Sequence, residues 1–221
     1  MASKRTQRVL VTSGPTRAYL DRVRYLANSS SGALGAAVVQ ALTNRGLPVM
    51  HLTGVETVSP EVNPPELLET VPVATVDNLI REIRQIAENK RISAVVHAMA
   101  VLDYVPETTM SGKKKSDDDV WTVRLVKTPK VIGMLRGLFG EAFLVGFKLE
   151  AGASDRELVD RAGALLETNA LDLVVANDID RVTGTRHAAL IVGPAREVLA
   201  RPVTKRDIGE TLAGIIAGRL G

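Results

Sequence analysis

Short aliphatic runs, each followed by a stretch of helical periodicity, recur along this chain and fix its fold class more tightly than any other feature. Arg8 to Ser13 (RVLVTS) reads as a buried strand. Ser31 to Asn44 carries Leu34, Val38, Ala41 and Leu42 as one helical stripe, with Gly46 ending it. Pro48 to Thr53 is a second strand. Leu79, Ile80, Ile83, Ile86 and Ala87 mark a second helix, and Ile92 to Ala98 a third strand. Val120 to Val126 alternates with period two, the pattern of a half-buried strand. Thr128 and Pro129 read as N-cap and first position of a helix whose inner face is Val131, Ile132, Leu135 and Leu138. Phe143 to Phe147 is a strand, and Ser154 to Glu157 a capping box opening a helix with Leu158, Ala162, Leu165 and Leu166 inside. Leu171 to Ala176 and Ala188 to Val192 are further strands. Thr204 caps a last helix built on Ile208, Leu212, Ile215 and Ile216.

Such alternation predicts an α/β fold: three layers, with a mostly parallel Rossmann-like sheet covered by helices on both faces. Ligands of these sheets lie beyond the carboxyl ends of the strands. The places to search are therefore just after Ser13, Thr53, Ala98, Phe147 and Ala176.

Composition narrows the chemistry. The 221 residues suit a single domain spanning 1–221. With 45% hydrophobic residues but only 3% aromatics, the core is aliphatic and each aromatic needs a local reason. There is no cysteine, which excludes disulfides, thiolate metal sites and a cysteine nucleophile, and makes the cytoplasm the expected compartment. The 3 histidines are too scattered for a zinc cage. No apolar window spans a membrane, and the basic start (MASKRTQR) is followed by too short an apolar run for a signal peptide. A net charge of +3 suits an anionic small substrate and does not by itself call for nucleic acid.

Ser30 to Gly35 (SSGALG) nearly matches a dinucleotide fingerprint, with Ser in place of the first Gly. Two features oppose an NAD site. Residues 14–30 intervene where a tight turn belongs, and no acid closes the second strand, Glu56 lying beyond its end. The helix start still offers N–H donors to an anion, beside Ser29, Ser30 and Ser31, although a plain serine-rich cap accounts for it equally. The long loop carries Arg17, Arg22, Arg24, Tyr25 and Asn28, a content suited to carboxylate and phosphate. Asp103 reads either as a ligand for a sugar hydroxyl or as a turn cap. Lys113, Lys114 and Lys115 read either as a solvated run or as a lid reaching a phosphate. Asp117 to Asp119 is a metal cluster or a solvated turn. Lys127 and Lys130 flank a second helix start. Phe147 stacks on a base or packs in the core. Asn177 and Asp178 leave a strand end as two groups able to read a substrate.

The stretches TSGPTRAYLDRVRYLANSSSGALG (12–35), HAMAVLDYVP (97–106), KKKS (113–116), VKTPKVI (126–132), VGFKLE (145–150) and TNALDLVVANDI (168–179) together resemble the phosphopantothenate–cysteine ligase family, most closely its stand-alone bacterial type. The resemblance implies a ligase of coenzyme A biosynthesis. It joins 4′-phosphopantothenate to L-cysteine through an acyl-cytidylate, with CTP as nucleotide (ATP as the alternative) and Mg²⁺. It also implies a homodimer, with 180–202 as a hairpin-like dimerisation segment, and no flavin, NAD, nucleic acid or membrane. By position it makes Asn28, Arg24 and Lys113 catalytic. It assigns Gly14, Ser31, Gly32, Ala100, Asp103, Lys113, Lys127, Pro129, Lys130, Val131, Ile132, Phe147 and Lys148 to the nucleotide. Arg24, Asn28, Ser30 and Asn177 go to the substrate, and the metal ligands stay unassigned. Two lysines of the fused bacterial members are replaced here by Ala164 and Thr168, with Lys148 expected to make up one of the lost charges. An NAD(P)-dependent oxidoreductase and a non-catalytic nucleotide-binding homologue are the competing readings. The first lacks a Tyr-x-x-x-Lys pair: Tyr19, Tyr25 and Tyr104 are followed by Val23, Ser29 and Thr108.

Overall fold

A computed structural model describes residues 7–221; most of the basic start read above lies outside them. In chain order the elements are β1 (Arg8–Ser13), β2 (Arg17–Tyr19), β3 (Tyr25–Ala27), α1 (Ala33–Thr43), β4 (Val49–Thr53), β5 (Leu68–Pro72), α2 (Val76–Asn89), β6 (Ile92–His97), β7 (Tyr104–Pro106) and β8 (Leu125–Lys127). A 3-10 turn (Val131–Met134) then leads to α3 (Leu135–Phe139), β9 (Phe143–Glu150), α4 (Asp155–Asn169), β10 (Leu173–Thr183), β11 (Arg186–Val192), β12 (Val198–Ala200) and α5 (Lys205–Leu220).

The central sheet is 8-stranded in the order β12-β11-β10-β9-β6-β1-β4-β5. All pairs from β5 to β10 are parallel; β11 and β12 are antiparallel. From β1 the chain runs outward to β4 and β5, then returns to lay β6 on the other side of β1. The topological switch point thus falls between β1 and β6, where open α/β sheets keep their ligands. Alternation along β1 shows why the sheet is covered twice. Val9 and Val11 pack with Val38 and Leu42 of α1 and Ile208 and Leu212 of α5, while Leu10 packs with Leu79 and Ile83 of α2, Leu135 of α3 and Leu158 of α4.

The capping residues Thr75, Ser154 and Thr204 each accept from a backbone N–H of the first turn, and the last two form full capping boxes. Four expectations need correction. The loop after β1 contains a hairpin, β2–β3. An edge strand, β5, carries no period-two signal. Of the alternating stretch 120–126 only the end enters a strand: β8 pairs with the three-residue β7, and Val120 is exposed. Thr128 is not a helix cap. Its hydroxyl is buried and donates to the Leu102 carbonyl at 2.7 Å, and the helical turn starts at Val131.

Candidate functional site

The turn after β1 decides the dinucleotide question. Gly14 and Gly32 both have left-handed backbones (φ 79° and 73°), and Gly35 lies where a Cβ would stand 2.1 Å from the Ser13 Cβ. The three glycine roles of a dinucleotide turn are therefore present, split by the excursion between them. The space over the first two is not free, however. A Cβ on Gly14 would meet the Thr57 methyl at 2.4 Å, and one on Gly32 the Thr57 Cβ at 3.0 Å. Thr57 is held there by its hydroxyl bonds to Thr53 (2.7 Å) and the Gly54 carbonyl (3.0 Å), while the Val58 N–H donates to the Ser31 carbonyl. Glu56, the displaced acid, is occupied by Arg17 at 2.6 Å, whose guanidinium also lies over the Tyr25 ring. Thr57 thus covers the side of Gly14 and Gly32 to which a side chain would point. Ser30 and Ser31 accept only long bonds, 3.4 Å, from Gly32 and Ala33, and α1 has no side-chain cap.

Within the excursion, Asp21 is the organising residue. Its buried carboxylate accepts from the N–H groups of Val23 (2.8 Å), Arg24 (2.8 Å) and Lys114 (3.1 Å), and from the Arg24 guanidinium at 3.0 Å. Burial opposes its ionisation, but the donors of Val23, Lys114 and Arg24 outweigh burial and hold the carboxyl below the usual range. Asp21 thereby ties the tip of the β2–β3 hairpin to the lysine run. Met110 and Arg22 add backbone bonds between the same two segments. Arg24, expected to face substrate, is spent on this tie: it also donates to the Lys114 carbonyl at 3.4 Å and lies over Trp121 at 5.3 Å. Trp121 thereby gains the local reason its rarity demanded. Lys113 is exposed and makes no ion pair among the described residues, whereas Lys114 pairs with Asp118.

Asn28, just past β3, reaches back over the switch point. Its amide donates to the Val101 carbonyl at 3.1 Å and to the Ala100 carbonyl at 3.4 Å, and the residue is exposed. Ala100 is fixed by its own N–H to the Gly14 carbonyl at 2.8 Å. Beside this point opens a cavity of about 210 Å³ between the ends of β6 and β9. It collects seven of the expected nucleotide residues, Asp103, Pro129, Lys130, Val131, Ile132, Phe147 and Lys148, and adds His97, Met99, Val101 and Leu165. Asp103 and Lys130 pair at 2.5 Å. Lys148 pairs with Glu150 at 3.0 Å, and Arg161 contacts the same carboxylate. Lys127 ends β8, paired with Tyr104.

Asn177 is not in this site. β10 continues as far as Thr183, so residues 177 and 178 are mid-strand rather than at a strand end. Asn177 is buried against His187 at 3.3 Å, and Asp178 caps the turn at Gly152 and Ala153. Ala164 and Thr168 line a second, shallow groove with Lys148, Glu150 and Arg161. Among the described residues no group of three or more His, Asp or Glu side chains could hold a metal ion, so Asp117 to Asp119 form no such cluster.

The family profile described as the DNA/pantothenate metabolism flavoprotein C-terminal domain matches residues 4–219. The chain belongs to this family. The coenzyme A biosynthesis bifunctional protein CoaBC of Thermococcus kodakarensis is 35% identical over 207 residues, covering 93% of this chain and 50% of that one. Its counterpart in Bacillus subtilis is 30% identical over 171 residues, covering 77% and 40%. The chain thus spans about half the length of the curated relatives it matches. Among solved structures, the DNA/pantothenate metabolism flavoprotein from Streptococcus pneumoniae superposes with a TM-score of 0.86 at 28% identity, over 96% of this chain and 99% of that one. A Cab2 variant in complex with phosphopantothenate-cysteine shares the fold, with a TM-score of 0.78 at 21% identity over 98% and 87%.

Proposed function

We propose that this domain of the flavoprotein C-terminal family is a phosphopantothenate–cysteine ligase acting in the cytoplasm as a homodimer. The carboxylate of 4′-phosphopantothenate attacks the α-phosphorus of CTP, pyrophosphate leaves, and an acyl-cytidylate forms. The amine of L-cysteine then attacks the acyl carbon and CMP leaves. ATP is the alternative nucleotide, and magnesium enters as the complex of the nucleotide substrate. The observation that carries this reading is the position of Asn28. Its amide bonds the carbonyl of Val101, which itself lines the cavity of about 210 Å³, so a donor and a binding space meet at the switch point.

In this reading the Asn28 amide turns from the Val101 carbonyl to the oxygen that gains charge during attack on the acyl carbon. Asp103 leaves Lys130 to accept from a ribose hydroxyl, freeing Lys130, with Lys127 and Lys148, for phosphate. Pro129, Val131 and Ile132 form the apolar wall around the base, and Phe147, which packs against the α1 and α5 side of the sheet, borders it with the Ala100 backbone. The uncapped start of α1, with Ser30 and Ser31, attracts an anionic end of the substrates. Arg24 acts by holding the lysine run beside the site, and Lys113 reaches in from that run. The exposed Ile179, Leu199 and Val203 near the antiparallel edge supply an apolar surface for a second copy.

Mixing the protein with 4′-phosphopantothenate, L-cysteine, CTP and magnesium tests the reaction. Pyrophosphate and CMP are expected in equal amounts with the ligated product; release of neither contradicts the proposal. Asn28→Asp exchanges a donor for a charged acceptor. It is expected to slow the cysteine step by about 10²–10³-fold while a first turnover of pyrophosphate survives. Unchanged turnover removes Asn28 from the chemistry.

A further inference from the structure

Resting on the nucleotide reading of the β6–β9 cavity, we infer that His97 reads the edge of the base from the cavity floor and so sets which nucleoside triphosphate is accepted. His97 ends β6 and, with Met99, is nearly inaccessible (6% and 7%) while still lining the cavity. Its Nδ1 is fixed by the Thr12 hydroxyl at 2.7 Å, which orients the ring. Nε2 has no hydrogen-bond partner among the described residues, so one ring nitrogen of a buried imidazole is left for a ligand.

The surroundings select the kind of group that meets it. The charged side chains, Asp103, Lys130 and Lys148, are half exposed and stand at the mouth. The wall is apolar: Val101, Val131, Ile132 and Leu165. Gly146, the register partner of His97 on β9, has no side chain, which lets Ile132 close that wall; a Cβ there would lie 3.0 Å from the Ile132 Cδ1. Burial pushes the imidazole down to about 4, so it is neutral at physiological pH and presents a single donor or lone pair, not a charge. An apolar slot with one neutral polar group at its floor and charges at its mouth fits a flat heteroaromatic ring whose polar edge points inward and whose phosphates point out. A mismatched ring edge would leave the imidazole nitrogen buried and unpaired, the situation in which hydrogen-bonding sites discriminate most strongly.

Calorimetric titration of the full chain with CTP, UTP, ATP and inorganic tripolyphosphate, with magnesium and without the other substrates, tests this. For His97→Phe the ratio of affinities between the preferred nucleotide and the next is expected to fall about tenfold or more, with tripolyphosphate binding unchanged. His97→Gln is expected to restore part of that ratio. An unchanged ratio, or an equal loss for every ligand including tripolyphosphate, overturns the assignment. Failure of the wild-type protein to bind any nucleotide overturns the cavity reading together with it. Should the variants not fold, ¹⁵N spectra of wild-type His97 decide: the Nε2 resonance moves with CTP and not with tripolyphosphate, and a resonance that stays still under both contradicts the proposal.

Discussion

Two regions flank the switch point, and each holds a buried histidine bonded to a hydroxyl of β1. On one side, His51 of β4 bonds Ser13 at 2.7 Å behind a turn that Thr57 has filled. On the other, His97 of β6 bonds Thr12 at 2.7 Å on the floor of a cavity of about 210 Å³. The glycines that mark a nucleotide turn belong to the closed side; the open space belongs to the side without the motif. A glycine pattern reports a backbone geometry, and only the neighbouring loop decides whether a ligand can use it.

Acid is expected to act on both sides at once and gives the largest effect. Burial holds His51 and His97 at about 4, against 6.5 when free. Between these values the unfolded chain binds protons that the folded protein does not, so stability is complete above pH 6.5 and falls as pH drops toward 4. The loss amounts to about 3 kcal/mol for each histidine. Urea midpoints across this range check the slope. His51→Gln and His97→Gln should each remove about half of it.

Gly35→Ala tests the closed side. A methyl 2.1 Å from the Ser13 Cβ forces α1 off the sheet, and about 2–3 kcal/mol of stability is expected to go, read as a lower melting temperature. The nucleotide affinity of the remaining folded protein should hold if the binding space lies across the switch point. Lys113→Gln tests the lysine run, with about a tenfold loss of turnover expected. Lys114→Gln should change little, because only its backbone meets Asp21 and Arg24. If only the latter variant loses activity, the acting lysine is Lys114. The smallest effect is expected of Lys148→Ala. Lys148 already pairs with the half-buried Glu150, which Arg161 also contacts, so a rise of only a few fold in the Michaelis constant for CTP is expected, and none would remove Lys148 from the phosphates.

The sheet and its helices were legible because burial imposes a period on each element: β1, the capping box at Ser154 and the cap at Thr204 fall where the pattern predicts. Of the seven cavity residues, Asp103, Lys130 and Phe147 stand out at strand ends and a helix start, but only the resemblance to a family joins them to one another and to the rest, since no local pattern links positions so far apart in sequence. What stayed hidden depends on contacts between loops. Nothing in the sequence announces that Thr57 fills the glycine turn. Only the spacing of an Asx turn at Asp21 hints that the hairpin is tied to the lysines. Asn177 misled because a strand end was inferred where the antiparallel partner β11 carries the strand onward. His97 was visible as the end of a strand but not as a cavity floor, because that role requires the absent side chain of Gly146 on the neighbouring strand.

The central claim is that nucleotide binds across the switch point and not over the glycines. A crystal structure of the protein with CTP and 4′-phosphopantothenate tests it most directly. The account predicts the base against the apolar wall of Val131, Ile132 and Leu165 with its edge at His97, the Asn28 amide within hydrogen-bonding reach of the phosphopantothenate carboxylate, and Thr57 still seated against Gly14 and Gly32. A nucleotide lying over Gly14 and Gly32 with Thr57 expelled, and the space between β6 and β9 unfilled, would contradict it.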